Sequence, residues 1–151
     1  MKKKFLVLLL IITAVFSLLF SLTGCTPRQS GKERNIVPKA NKIHHISIAK
    51  NQTPESSSLL NDKNSIAEFV NIITTSTEKT RKESVNDQPA NVAQYYIIRF
   101  HGAESEFISD IIFLYSSNGC YYIEKPYSGI WKMPRSDFEK CISYYSMHNS
   151  D

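Results

Sequence analysis

Glycine is scarce in this chain, with five in 151 residues, and no Gly-rich phosphate cradle or dinucleotide-binding turn occurs. A G-x-S-x-G nucleophile elbow and an H-E-x-x-H zinc helix are also missing. Cysteine is sparse at three, with no C-x-x-C and no Cys–His cluster at ligand spacing, so the patterns of a zinc site are absent. Excess positive charge disappears once the N-terminus is set aside. The full chain has 18 basic and 14 acidic residues, net +4. Without Lys2, Lys3 and Lys4 the balance is 15 against 14, or +1. Nucleic acid normally requires a concentrated basic surface. No cofactor, metal or nucleic-acid partner is expected, and no catalytic set can be assembled.

What is present begins at the N-terminus. Three lysines precede an apolar run over residues 5–22, and the run ends in Leu22-Thr23-Gly24-Cys25. This is the order of a secretory signal peptide closed by a lipobox. Residues 1–24 are expected to be removed, leaving Cys25 as the lipidated N-terminus of a protein on the outer face of the cell membrane. The competing reading is an uncleaved anchor, because 18 apolar residues can just span a bilayer.

Residues 25–42 read as a flexible lipidated tether, rich in Pro, Ser and charge, with Ile36-Val37 as its only apolar pair. A single domain is expected over 43–148. Residues 43–49 form a strand with Ile46 and Ile48 on one face, and 51–61 a polar loop. A helix starts at the S-x-x-E capping box Ser65–Glu68. It carries Ile66, Phe69, Val70, Ile73 and Thr77 on one face and fades near Thr80. Strands follow at 94–100 and 107–115, then the positive-φ turn Asn118-Gly119 and a return strand over 120–125. A second helix begins at Ser136 with Phe138, Cys141, Ile142 and Tyr145 inward. The fold class is α+β, in the order β-α-β-β-β-α. Its sheet has four strands, is largely antiparallel, and carries both helices on one face.

The two-residue turn sets the register: Ser117 opposite Cys120, Tyr115 opposite Tyr122, Leu114 opposite Ile123, Phe113 opposite Glu124. Ile112, Leu114, Tyr121 and Ile123 then share a face suited to the helices. Ile111, Phe113, Tyr115, Tyr122 and Glu124 share the other, which is exposed or loop-covered. Cys120 and Cys141 fall on opposite sides of the sheet and are expected to stay unbonded.

Candidate binding residues are Tyr122, Glu124, Tyr127 and Trp131, in an aromatic stretch around a Pro-x-x-Gly bend. Such side chains are enriched at contact surfaces. The other reading is that Tyr127, Ile130 and Trp131 fold back over the sheet as a lid closing the core, since a small domain needs every large side chain it can bury. His44 and His45 are adjacent on a strand and point to opposite faces, which makes them poor chelators of one ion. His101 and His148 fall in a loop and the C-terminal tail. Glu104, Glu106 and Asp110 read as solvated carboxylates.

Two segments carry a resemblance: Ser84, Val85, Asn86, Asp87 and Pro89 in one, and Glu124, Pro126, Tyr127, Gly129, Ile130 and Trp131 in the other. With the lipoprotein signal, they resemble a domain-of-unknown-function family of small Gram-positive lipoproteins over about 100 residues, 43–147. That family usually has Tyr at the place of Trp131. The resemblance implies fold and location and no activity. The function expected is a non-catalytic binding or accessory domain, sensor-like or inhibitor-like. It would be held to the membrane by its lipid and directed at a cell-surface protein or wall ligand. The alternatives are an immunity lipoprotein against an exported toxin, or a small cell-wall hydrolase using Glu124 or Asp87.

Overall fold

The computed structural model describes residues 36–102 and 108–146, with backbone alone at 108 and 109. The signal segment, Cys25, Glu104, Glu106, Met147 and His148 lie outside the described residues. Seven strands form one antiparallel sheet: β1 (Ile43–Lys50), β2 (Thr53–Leu60), β3 (Glu78–Lys79), β4 (Tyr96–Gly102), β5 (Ile108–Ser117), β6 (Cys120–Lys125) and β7 (Gly129–Met133). Their spatial order is β2-β1-β4-β5-β6-β7-β3. Helices α1 (Lys63–Thr75) and α2 (Arg135–Ser146) complete the fold.

The sheet therefore has seven strands, not four. Residues 53–60 were expected to be a loop because Pro54 and three serines have low strand propensity. They pair with β1 all the same, Leu60 opposite Ile46 and Ser58 opposite Ile48. The buried Ser58 hydroxyl donates to the Tyr145 carbonyl at the end of α2. An edge strand takes its hydrogen bonds from its neighbour, which offsets poor propensity. The Pro-x-x-Gly bend likewise closes a hairpin, and Gly129–Met133 returns along β6. β3 is a two-residue strand on β7, within the stretch expected to be the end of the first helix.

The hairpin register matches the expected one at each pair, from Phe113–Glu124 to Ser117–Cys120. Asn118 and Gly119 have φ of 51° and 72°, the left-handed values a type I′ turn demands. Ile46, Ile48, Ile98, Phe100, Ile112, Leu114 and Ile123 point to one side and form a single core with both helices. From α1 this core takes Ile66, Phe69, Val70, Ile72 and Ile73; from α2, Phe138, Cys141 and Tyr145. Among the described residues the two cysteines are free, Cys141 in the core and Cys120 half-buried beside Tyr122. Burial pushes the Cys141 thiol up to about 12.

Two boundaries move. α1 is capped by Asp62, whose carboxylate accepts from the Ser65 amide at 2.8 Å and the Ser65 hydroxyl at 2.9 Å. Ser65 thus lies inside the first turn and is not the cap. A carboxylate at the N-cap is favoured by the helix dipole, and the helix ends at Thr75, before Thr77. The folded unit also starts earlier than residue 43, since Ile36 and Val37 are buried against the core.

Candidate functional site

Around Phe113, Tyr115, Glu124 and Ile130 the sheet's second face is covered by residues 80–95 and not by a helix. The attachment begins where the chain leaves β3. The Thr80 amide and hydroxyl both donate to the Ile130 carbonyl, at 2.9 and 2.8 Å. The loop then crosses β6. The Ser84 hydroxyl donates to Glu124 Oε1 at 2.7 Å, and the Tyr115 hydroxyl donates to Glu124 Oε2 at 3.1 Å. Glu124 is only 4% exposed. Burial and the adjacent Glu124 carboxylate raise the Tyr115 phenol well above its ordinary range, so Tyr115 stays a hydrogen-bond donor. Further along, the Tyr127 hydroxyl donates to Asp87 Oδ1 at 2.7 Å. Tyr95 donates to Gln88 and sets its ring edge-on to Phe113. Among the described residues, every buried side-chain polar atom has a partner.

The two segments singled out in the sequence therefore meet in space. Ser84 and Asp87 of one bond Glu124 and Tyr127 of the other. Their pairing across 40 residues is the scaffold of the site.

The four expected binding residues separate. Trp131 faces the helices opposite Ile123 and is part of the core. Of the two roles open to it, it takes the structural one, because an even number of residues from Gly129 puts it on the inner face. Glu124 is a buried anchor for the loop. Tyr122 is half-buried, with Lys82 Nζ 5.4 Å from its ring centre. Tyr127 is 65% exposed. It sits in a β-turn closed by the Ser128 amide on the Lys125 carbonyl at 3.1 Å, with φ of 57°. A type II turn takes Gly or Asn at this place after Pro, because a bulky side chain is strained there.

Beside Tyr127 lies an open recess of about 550 Å³, lined by residues 79–85 and 127–129. Its walls carry Lys79, Arg81 and Lys82 against the single carboxylate of Glu83. Lys79 Nζ stands 5.3 Å from the Trp131 ring centre, so the aromatic ring orients the cation. Val85, 64% exposed, is on the rim. Neither the cations nor Val85, which the sequence marks only within the segment of resemblance, is expected there to be a binding residue, and the run Arg81-Lys82 is the one local signal for them.

The histidines are also arranged differently. A register shift between Ile43 and His45 bulges the β1–β4 pairing, and another between Phe100 and His101 bulges the β4–β5 pairing. The His44 and His45 Nδ1 atoms lie 3.3 Å apart, not on opposite faces, because a bulge re-aims side chains. His101 is on β4, not in a loop, and stacks on His45. Among the described residues, no three His, Cys, Asp or Glu side chains converge as a metal would require. No helix among them is long and apolar enough to cross a membrane.

A family model described as "Domain of unknown function (DUF5300)" matches residues 31–132. The chain belongs to the DUF5301 family. The match takes in both paired segments and begins before Ile36, in keeping with the early start of the fold. The DUF5301 chain is similar to a solved structure, the NMR structure of the protein from Ruminococcus gnavus. Identity is 30%, the alignment covers 68% of this chain and 95% of that one, and the TM-score is 0.53. No curated protein matches the chain.

Proposed function

We propose that this protein is a membrane-anchored extracytoplasmic lipoprotein. Its folded unit would be a small non-catalytic binding module whose contact surface is the recess at Tyr127. The observation that carries the reading is Tyr127 itself, a large aromatic residue exposed and held at positive φ beside three cations. Strain of this kind persists where surroundings over-determine it, and it clusters at ligand contacts. The hydroxyl bond to Asp87 and the Pro126 turn supply that over-determination. A partner with an acidic group and an apolar or aromatic group fits the recess, with Arg81 and Lys82 answering the charge and Tyr127 and Val85 the rest.

The hydrolase alternative loses the carboxylates on which it rested. Glu124 is buried with both oxygens engaged, and Asp87 is occupied by Tyr127. Anchoring rests on Cys25 and the lipobox. From Cys25 to Ile36 the chain reaches at most about 40 Å, so the recess would work close to the membrane surface.

Two measurements test the reading. Fatty-acid labelling should mark the wild type and not Cys25→Ala; equal labelling would remove the anchor. A photo-reactive phenylalanine analogue at position 127 should give cell-envelope adducts that shrink when Arg81 and Lys82 are changed to Glu. The same adducts from an analogue at Gln52, on the far edge of the sheet, would remove the recess.

A further inference from the structure

Three imidazoles from two strands are packed at one end of the β1–β4 pairing. The His45 and His101 rings are stacked, centroids 4.2 Å apart and 11° from parallel. His44 stands edge-on to His45 at 5.6 Å, and the Ser47 hydroxyl and His101 Nε2 are hydrogen-bonded at 3.0 Å. Strand β4 is flanked by irregular pairing at this same place: its register with β1 shifts between Ile43 and His45, and its register with β5 shifts between Phe100 and His101. A bulge leaves a residue out of the ladder, so the pairing here has fewer backbone bonds to resist separation. The ring contacts are the local substitute.

We propose that His44, His45 and His101 form a pH-sensitive clasp on the β1–β4 pairing, closed when the imidazoles are neutral and loosened when they are protonated. Stacking at this distance tolerates one charge far better than two, because two like charges about 4 Å apart repel strongly away from bulk water. Among the described residues, no carboxylate acts on the pair to relieve it. The charges acting on the pair are His44 from β1 and Arg99 from β4, together with the two rings themselves, and all of them are basic. Lys42 precedes the same end of β1. Opposite Arg99, β5 presents Ile111, and opposite Ser47, β2 presents Leu59. Asp110, opposite Phe100, is ion-paired with Lys125.

The titration direction agrees with the geometry. Burial first, then the neighbouring cations, holds both His45 and His101 below the ordinary imidazole value. The folded state then binds fewer protons than the unfolded one as pH falls through about 6.5, and the clasp loses stability across that window. Above it, the contribution is complete. Each pH unit by which a folded pKa lies below its free value is about a tenfold difference in the opening equilibrium.

The test uses the full chain in detergent micelles. Histidine-selective NMR should give titrations of His45 and His101 below about 6.5, and coupled to each other. Amide exchange, corrected for intrinsic rate, should show protection around the two bulges falling by about tenfold or more from pH 7.5 to pH 5, with the α1 amides little changed. His101→Phe keeps a ring for His45 to stack on and removes one charge, so most of the pH-dependent loss should vanish. If that variant does not fold, the wild-type titration decides. Independent titration of both rings near 6.5, or unchanged protection at the bulges, would overturn the proposal.

Discussion

The two faces of the sheet are held by different physics. On the inner face, Ile46, Ile98, Phe100, Leu114 and Ile123 meet two helices through apolar surface. That attraction is non-directional and grows with the area buried. On the outer face, a loop without regular structure lies over Phe113, Tyr115 and Ile130, fastened at points: Thr80 on Ile130, Ser84 on Glu124, Asp87 on Tyr127. Point fastening is specific and can be undone one bond at a time. The same sheet thus has a face that fixes the fold and a face that presents a surface.

The largest effect should come from the inner face. Phe69 is fully buried against Phe100 and Tyr144, and Phe69→Ala should cost about 3–5 kcal/mol in chemical denaturation. Both faces should melt together in that variant, since the strands are shared.

Next comes the buried carboxylate. Glu124→Ala leaves the Ser84 and Tyr115 hydroxyls without their acceptor, a loss of about 2–3 kcal/mol. Ser84→Ala should cost about 1–2 kcal/mol. A double-mutant cycle should recover a coupling of about 1 kcal/mol or more between them. Additive losses would mean that the loop is held by something else.

The hairpin that serves both faces offers a smaller test. Gly119→Val puts a β-branched residue at φ 72° and should cost about 1–2 kcal/mol. Ser117→Val, on extended backbone, should stay within about 0.5 kcal/mol.

The smallest effect belongs to the exposed contact between the helices, where Glu68 accepts from Lys140 and Tyr144. The Lys140 bond is the main cause of a lowered Glu68 pKa. Its contribution is present above the free carboxylate value and lost as pH falls through the folded one. Glu68→Gln should therefore leave stability nearly unchanged and flatten its pH profile below about pH 4.5.

How much of this could be read from the sequence depended on how local the cause was. Asn118-Gly119 specifies a turn by itself, and with it the register of β5 and β6 and the division of the faces. Ser65 and Glu68 make a plausible capping box, but Asp62, three residues earlier, takes the cap. Strand β2 has no local signal, since its serines pair only because β1 offers an open edge. Ile36 and Val37 are two apolar residues in a polar stretch, too few for any periodicity. Glu124 is a candidate contact residue in the sequence, and its role as the loop's anchor is hidden because Ser84 is 40 residues away. Trp131 stays open between core lid and contact residue in the sequence because the turn before it conceals a strand and, with it, the alternation that points its ring inward.

The most direct test of two differently held faces is native-state amide exchange in Ser84→Ala. The Thr80 amide, bonded to the Ile130 carbonyl across the loop junction, should lose protection. The amides of Ile112, Leu114 and Ile123 should keep theirs apart from any small global change, because local openings need not breach the core. Equal loss at Thr80 and at the core strands would contradict the account, since the loop would then be part of one indivisible unit and not a separately fastened surface.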